Sequence, residues 1–277
     1  MVTPSQPIGI FDSGVGGLTV AAAVRNILPN ENIIYFGDTA HLPYGDKSAD
    51  SIRYYSEKIA EFLLAQDCKV ILIACNTASA HAYQTVKEYV ARKSGSRKVI
   101  NVIDPVVEYI TDKNNYSRIA VIGTKGTINS GSYPQRIIHR KPDIEVVSAA
   151  TPLFVPMIEE GFIFDDISNA IIRSYLSKEK LNHLDAIILG CTHYPIIKNQ
   201  IRKFYNFRVD VIDSSQVVAM KLKNYLTQNN ILNTVEKTKH RFIVSDYTDM
   251  FETIARMFFD EEIHLEKIDI WQTPKEG

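Results

Sequence analysis

The chain has 277 residues, of which 45% are hydrophobic and 23% charged, and this composition is typical of an ordinary globular protein with room for about two domains. Its 31 Lys and Arg residues and 32 Asp and Glu residues leave a net charge of −1, which does not favour binding to nucleic acid or to an anionic membrane. No segment approaches the roughly 18 apolar residues that a membrane helix needs, and the first ten residues do not form a signal peptide. Three cysteines without a CxxC pair do not make a disulfide framework, so we expect a reduced, cytoplasmic protein.

Short runs rich in β-branched residues alternate with longer amphipathic segments along most of the chain. In the first part, this alternation predicts strands at 8–11, 33–36, 70–74 and 99–103, and helices at 17–28, 49–66, 78–92 and 106–114. It then predicts strands at 119–122, 144–148, 186–189 and 209–212, with helices at 165–177 and 196–204. A helix at 215–228, a strand at 242–245 and a helix at 250–258 follow. The pattern indicates an α/β fold with doubly wound parallel sheets, each covered by helices on both faces.

Two segments of the sequence resemble each other at the end of a predicted strand. VILIACNT, which ends at Thr77, resembles AIILGCTH, which ends at His193, and a turn of small residues follows the strands at both Asp12 and Thr124. We therefore predict two pseudo-symmetric domains, each of which ends a strand in a cysteine, facing each other across one cleft. Because ligands bind at the carboxyl ends of the strands in such sheets, the active site is expected between the domains.

Cys75 and Cys191 are the strongest candidates for functional residues. A free cysteine is often simply a small buried hydrophobe, and this interpretation suits Cys68. The other two are each followed at once by polar side chains, where a site is expected. A structural metal site needs ligands at closer spacing, so no metal is expected, and a single nucleophilic cysteine would not account for a matched pair.

Two thiols that face one cleft suit the removal of a proton from one face of a carbon atom and the delivery of a proton to the other face. A thiol with an ordinary pKa of about 8.5 is mostly protonated at neutral pH, so one thiolate and one thiol need only modest tuning. The two groups exchange roles when the reaction runs backward. No lysine motif for pyridoxal phosphate and no motif for another electron-sink cofactor is evident, so no cofactor is expected.

Asp12 precedes a glycine-rich turn, SGVGG at 13–17. Counting from Gly14, Thr19 stands where a dinucleotide-binding turn has its third glycine, and no P-loop motif is present. The turn is instead suited to hold a small anion, such as a carboxylate, through its backbone N–H groups. Asp12 itself either caps the following helix or orients and polarises a catalytic thiol.

Further candidates lie in loops after other strands. Tyr44 and Gly45 belong to a loop whose proline and glycines shape it to close over a ligand. Glu159 and Glu160 form a carboxylate pair, which is usually a solvated surface, but one of them near His193 would provide an acid–base partner for Cys191. Of the seven histidines, His193 is the only one for which we predict a function.

Four sequence blocks resemble those of the glutamate racemases and occur in the order of that family. They are DSGVGGLT from Asp12, YFGDT through PYG up to Gly45, ACNTA around Cys75 and GCTHYP around Cys191. They lie within 8–195, and the chain length matches the whole enzyme. The resemblance implies a cofactor-independent racemase that interconverts L- and D-glutamate and supplies D-glutamate for bacterial peptidoglycan.

The resemblance also implies roles for individual residues. Cys75, assisted by Asp12, would act on D-glutamate, and Cys191, assisted by Glu159 and His193, would act on L-glutamate. The substrate would be bound at the strand ends by Asp12, Ser13, Tyr44, Gly45, Asn76, Thr77, Thr192 and His193. The chain from about residue 211 would return to the first domain, which gives domains 1–101 plus 211–277 and 102–210. A homodimer is the expectation from the family.

Two alternatives remain open at this point. The same machinery would serve aspartate or another small acidic amino acid, as in related racemases. From a different class of protein, the chain would be a binding or sensing protein that keeps the cleft without turnover, although such a protein has no need of two reactive thiols.

Overall fold

Strands and helices alternate along the part of the chain that the computed structural model describes, which is residues 2–95, 97–112, 116–235, 238–247, 251, 255–257, 259 and 263–271. The strands are β1 (Ile8–Asp12), β2 (Ile33–Gly37), β3 (Val70–Ile73), β4 (Lys98–Asn101), β5 (Arg118–Gly123), β6 (Glu145–Ala150), β7 (Ala186–Gly190), β8 (Asp210–Asp213), β9 (His240–Val244) and β10 (Leu265–Lys267). The helices are α1 (Leu18–Ile27), α2 (Ala49–Ala65), α3 (Asn76–Ser94), α4 (Ile103–Asp112), α5 (Lys125–Asn129), α6 (Ser132–Arg140), α7 (Phe154–Glu159), α8 (Asp166–Leu176), α9 (Lys198–Phe204) and α10 (Ser214–Gln228).

The strands form two parallel sheets that share one strand order. The first sheet has the order β10-β9-β2-β1-β3-β4, and the second has the order β6-β5-β7-β8. The segment β2-β1-β3-β4 of the first sheet therefore corresponds to β6-β5-β7-β8 of the second, and β9 and β10 extend the first sheet beyond β2. The predicted α/β fold with two pseudo-symmetric parallel-sheet domains is confirmed.

The central strands are buried along their whole lengths because helices cover both faces of each sheet. Ile8 and Ile10 of β1, for example, are fully buried, and each such side chain contributes about 1.5–3 kcal/mol to folding. On the first sheet, α1 packs against α10 and α2 packs against α3. This packing holds the carboxyl ends of the strands in place.

The chain after α10 returns to the first sheet. β9 pairs with β2, and β10 pairs with β9. All four residues of β8, by contrast, pair with β7 in the second sheet, so a boundary after Asp213 follows the sheets more closely than one after residue 210. The division into domains 1–101 plus 211–277 and 102–210 stays a prediction.

Two helices begin two or three residues earlier than the sequence predicted, and in both cases a side chain caps the helix. Oδ1 of Asn101 accepts hydrogen bonds from the N–H groups of Ile103 and Asp104 at 2.8 and 2.9 Å, so β4 ends at Asn101 and α4 follows directly. Cys75 is the residue that caps α3, and its Sγ accepts from the N–H of Ala78 at 3.4 Å. Asn76 and Thr77 are therefore in the first turn of α3.

The sequence pattern did not predict the helices α5, α6 and α7 or the strand β10. The helix predicted at 250–258 falls largely on residues outside the described ranges. Within the described residues, none of the helices combines the length and the apolar composition needed to cross a membrane.

Candidate active site

A cavity of about 280 Å³ lies between the two sheets at the carboxyl ends of their strands. Residues that follow four different strands line it, two from each sheet: Ser13, Cys75, Thr124 and Cys191. It is also lined by seven further residues that were predicted for the site: Tyr44, Gly45, Asn76, Thr77, Glu159, Thr192 and His193. Asp12 is fully buried and does not line the cavity itself. The structure thus brings the predicted residues together in one place.

Cys75 lies on the side of the cavity formed by the first sheet, at the N-terminus of α3. Its thiol lies 3.6 Å from Oγ of Ser13, to which it donates. Burial and the nearby Asp12 carboxylate raise the pKa of Cys75 to about 12, and the N–H of Ala78 opposes this effect. Cys75 is therefore a neutral thiol at pH 7.

Asp12 is held by donors from both halves of the protein. Its Oδ2 accepts from the N–H of Gly14 at 3.0 Å, and its Oδ1 accepts from the hydroxyl of Thr192 at 3.3 Å. Burial raises the pKa of Asp12, while the charge of His193 and the N–H groups of Gly14 and Gly17 act in the opposite direction. Gly17 rather than Asp12 occupies the N-cap position of α1. Two N–H groups of the turn thus bind Asp12, whereas the sequence analysis expected them to hold an external anion.

Cys191 lies on the opposite side of the cavity beside an imidazole and a carboxylate. Nδ1 of His193 is 3.8 Å from Sγ of Cys191, and Nε2 is 3.0 Å from Oε1 of Glu159. The second contact is an ion pair rather than an aligned hydrogen bond. Burial by itself lowers the pKa of His193, but Cys191 and Glu159 outweigh it and raise the pKa to about 10. His193 is therefore an imidazolium at neutral pH. The neighbouring Glu160 is exposed and does not line the cavity.

Asn76 and Thr77 bring polar groups to the cavity from the first turn of α3. Oδ1 of Asn76 accepts from the hydroxyl of Tyr133 at 2.7 Å, which ties α3 to α6 of the other half. Nδ2 of Asn76 is buried and has no hydrogen-bond partner within the described residues, so this donor is available to a ligand. The hydroxyl of Thr77 is 3.0 Å from that of Thr124.

The loop after β2 closes one side of the cavity. Tyr44 is buried, and its hydroxyl donates to Oδ2 of Asp38 at 2.7 Å. Gly45 packs so closely against Thr124 that a Cβ on the glycine would lie 2.8 Å from the Cβ of the threonine. The loop therefore contacts the second half directly across the cleft.

Some residues of the cavity were missed by the sequence analysis. Thr124 follows β5 directly, as Ser13 follows β1, so the internal repeat carried a signal for it. Val155 and Pro156 give the cavity an apolar wall, and they were missed because the sequence predicted no helix for α7. In the described ranges, the structure has no group of three or more His, Cys, Asp and Glu side chains arranged to hold a metal ion.

Comparisons with known proteins agree with this geometry. The sequence matches the Asp/Glu/Hydantoin racemase family over residues 18–222. A glutamate racemase of Chlorobaculum tepidum is 41% identical over 263 residues, which is 95% of this chain and 95% of the relative.

Two crystal structures of glutamate racemases are also similar. The enzyme of Francisella tularensis in complex with D-glutamate has a TM-score of 0.88 and 42% identity, with 97% of this chain and 99% of that chain covered. The enzyme of Thermus thermophilus in complex with β-chloro-D-alanine has a TM-score of 0.84 and 34% identity, with 96% and 98% covered. This chain therefore belongs to the Asp/Glu/Hydantoin racemase family, as its four sequence blocks predicted.

Proposed function

We propose that this protein is a cofactor-independent glutamate racemase in which Cys75 and Cys191 act as acid–base groups on opposite faces of Cα. The observation that carries the proposal is the placement of two free, buried thiols from different sheets on one cavity of about 280 Å³. The glutamate racemases that resemble the chain over nearly its whole length support glutamate as the substrate.

In the direction from L- to D-glutamate, the thiolate of Cys191 removes the Cα proton. The electron pair of the broken C–H bond stays on Cα, next to the α-carboxylate, and the thiol of Cys75 delivers its proton to the opposite face. The raised pKa of Cys75 suits its role as the proton donor, and the His193 imidazolium beside Cys191 suits a thiolate there. The reverse reaction exchanges the two roles.

The carbanion needs donors that are already in place, because Cα–H of an amino acid is a very weak acid. Ser13, Asn76, Thr77 and Thr192 provide hydroxyl and amide groups at the strand ends, and Tyr44, Gly45 and His193 complete the proposed binding set. Asp12, which does not line the cavity, supports this set through its hydrogen bond with Thr192. We further propose that the product serves peptidoglycan synthesis in the cytoplasm and that the enzyme is a homodimer.

Proton NMR of the purified protein with L-glutamate in D₂O, followed by circular dichroism of the same sample, tests the proposal. We expect loss of the Cα–H signal together with decay of the ellipticity to zero, without any added cofactor. If both signals persist although the protein is folded, glutamate racemisation is excluded. The same experiment with L-aspartate then separates a racemase of another substrate from a binding protein.

A further inference from the structure

We propose that Gly16 and Gly17 are positioning residues, each of which fixes the geometry of one of the two acid–base groups. This inference rests on the proposed two-thiol racemisation. The two glycines are adjacent in the turn before α1, yet their open sides face different partners. Gly16 lies against the residues next to Cys191, and Gly17 lies against the carboxylate next to Cys75.

Gly16 packs directly on the imidazole of His193. A Cβ at this position would lie within 3.0 Å of both Nδ1 of His193 and Oγ1 of Thr192. The ring of His193 is held between Cys191 and Glu159, so it can shift away from Gly16 only by changing its distances to these two partners. A side chain on Gly16 would therefore displace the group that sets the environment of Cys191.

Gly17 packs in the same way on Asp12. A Cβ here would lie within 3.0 Å of Cβ of Asp12 and 2.8 Å from the hydroxyl of Tyr35. Cβ of Asp12 is attached to the end of β1 and cannot move without the strand, and the Tyr35 hydroxyl is held by its bond to the carbonyl of Gly14 at 2.7 Å. A side chain on Gly17 would thus displace the carboxylate beside Cys75.

Neither position needs glycine for its backbone conformation. Gly17 has φ −63° and ψ −11°, which any residue adopts, and Gly16 is not among the glycines with positive φ. An alanine at either position therefore tests close packing alone. Because the two glycines have no side chains, the turn can approach both His193 and Asp12 closely.

Alanine at either position should slow turnover on the order of 10²-fold, which is the scale for misplacing a catalytic group by about 1 Å. The rate alone does not reveal which thiol is affected. Since the two enantiomers have the same free energy, kcat/KM falls by the same factor in both directions. The deuterium isotope effect, measured separately with L- and D-glutamate, does reveal which thiol is affected. The isotope effect grows for the enantiomer whose Cα proton is removed more slowly in the variant.

The experiment measures kcat/KM for L- and D-glutamate with protium or deuterium at Cα, in the Gly16→Ala and Gly17→Ala variants of the full chain. For Gly16→Ala we expect the isotope effect to rise with L-glutamate, which Cys191 deprotonates, and to fall with D-glutamate. For Gly17→Ala we expect the opposite. Isotope effects that do not move, or that move together in the two directions, would overturn the proposal.

Gly9→Ala is the matched control, because a Cβ there would press on Cys68, which is not part of the site. We expect it to lower stability without making the two isotope effects diverge. If Gly16→Ala does not fold, the variant that also carries Thr192→Ala and His193→Ala removes both clashes and should restore folding, and a failure to do so also overturns the proposal. Absence of racemisation by the unaltered chain would instead exclude the proposed function.

Discussion

The hydroxyl of Thr192 donates to Oδ1 of Asp12 at 3.3 Å and so joins the ends of two strands from different sheets. The hydroxyl of Thr19 in α1 also donates to the backbone carbonyl of Thr192, at 3.0 Å. These bonds connect the group beside Cys75 to the residue next to Cys191. These bonds therefore couple the two halves of the cavity.

Replacement of either cavity cysteine should abolish racemisation. Cys75→Ser and Cys191→Ser each replace a thiol by a hydroxyl that is a far weaker acid, and loss of a general acid–base group costs about 10²- to 10⁴-fold in rate. Circular dichroism of glutamate solutions measures the rate in both directions. Cys68→Ala is the control, because Cys68 is buried outside the cavity and should keep its rate. Near-normal racemisation by a variant with one cavity cysteine would contradict the mechanism.

The pKa of His193 should depend on Glu159 and not on its neighbour in the sequence. Glu159→Gln removes the charge that lies 3.0 Å from Nε2, so the pKa should fall from about 10 towards the ordinary value of 6.5. Glu160→Gln is the control, since Glu160 is exposed. NMR titration of protein with labelled histidine measures both variants. Equal shifts in the two variants would mean that the ion pair does not govern His193.

The raised pKa of His193 also predicts how stability depends on pH. The folded protein keeps the proton up to about pH 10, whereas the unfolded chain loses it near 6.5, so the stabilisation is complete below 6.5 and is lost as pH rises. The slope from this one proton approaches about 1.4 kcal/mol per pH unit. Urea unfolding between pH 6.5 and 8 measures it, because the buried thiols of Cys68 and Cys75, whose pKa values folding raises from 9.0 to about 12, contribute only at higher pH. In His193→Asn the same window should lack this slope, and an unchanged slope would count against the assignment.

Tyr133→Phe should weaken substrate binding without removing any group that touches the substrate. The variant deletes the 2.7 Å bond to Oδ1 of Asn76 and leaves a buried oxygen unpaired, at a cost of about 1–3 kcal/mol. If half of that cost appears in binding, KM rises roughly two- to twelvefold. Steady-state kinetics measures KM and kcat, with Tyr175→Phe on the other side of the second sheet as the control. An unchanged KM and an unchanged unfolding free energy would show that the bond does not hold Asn76.

The buried ion pair of Lys69 and Glu31 should affect folding rather than catalysis. Nζ of Lys69 is 2.6 Å from Oε2 of Glu31, both side chains are fully buried, and Nζ also donates to the carbonyls of Pro4 and Ile231. Lys69→Met leaves the carboxylate buried without its partner and should cost about 3–5 kcal/mol, most of which Lys69→Met with Glu31→Leu should restore. Urea unfolding measures both variants. A double variant that is no more stable than the single one would show that the pair is not the cause.

Local patterns in the sequence determined where the strands lie and which residue types stand directly after them. Runs of β-branched residues predicted β1, β3, β5 and β7 to within about two residues, because only a strand covered on both faces buries such a run completely. Each strand end then fixed the place of a cysteine, a carboxylate or a hydroxyl. The similarity of the two cysteine segments predicted two similar α/β units, and both thiols were predicted to face one cleft.

The tertiary structure decided which of these groups contact one another. Glu159 and Glu160 are adjacent, and only the packing of α7 turns one towards His193 and the other to the solvent. Tyr133 meets Asn76 across 57 positions, and Thr192 meets Asp12 across 180. Gly16 and Gly17 are adjacent glycines, but a Cβ on Gly16 would contact His193, whereas a Cβ on Gly17 would contact Asp12. Such contacts depend on close packing between distant segments, for which a local pattern of residues holds no information.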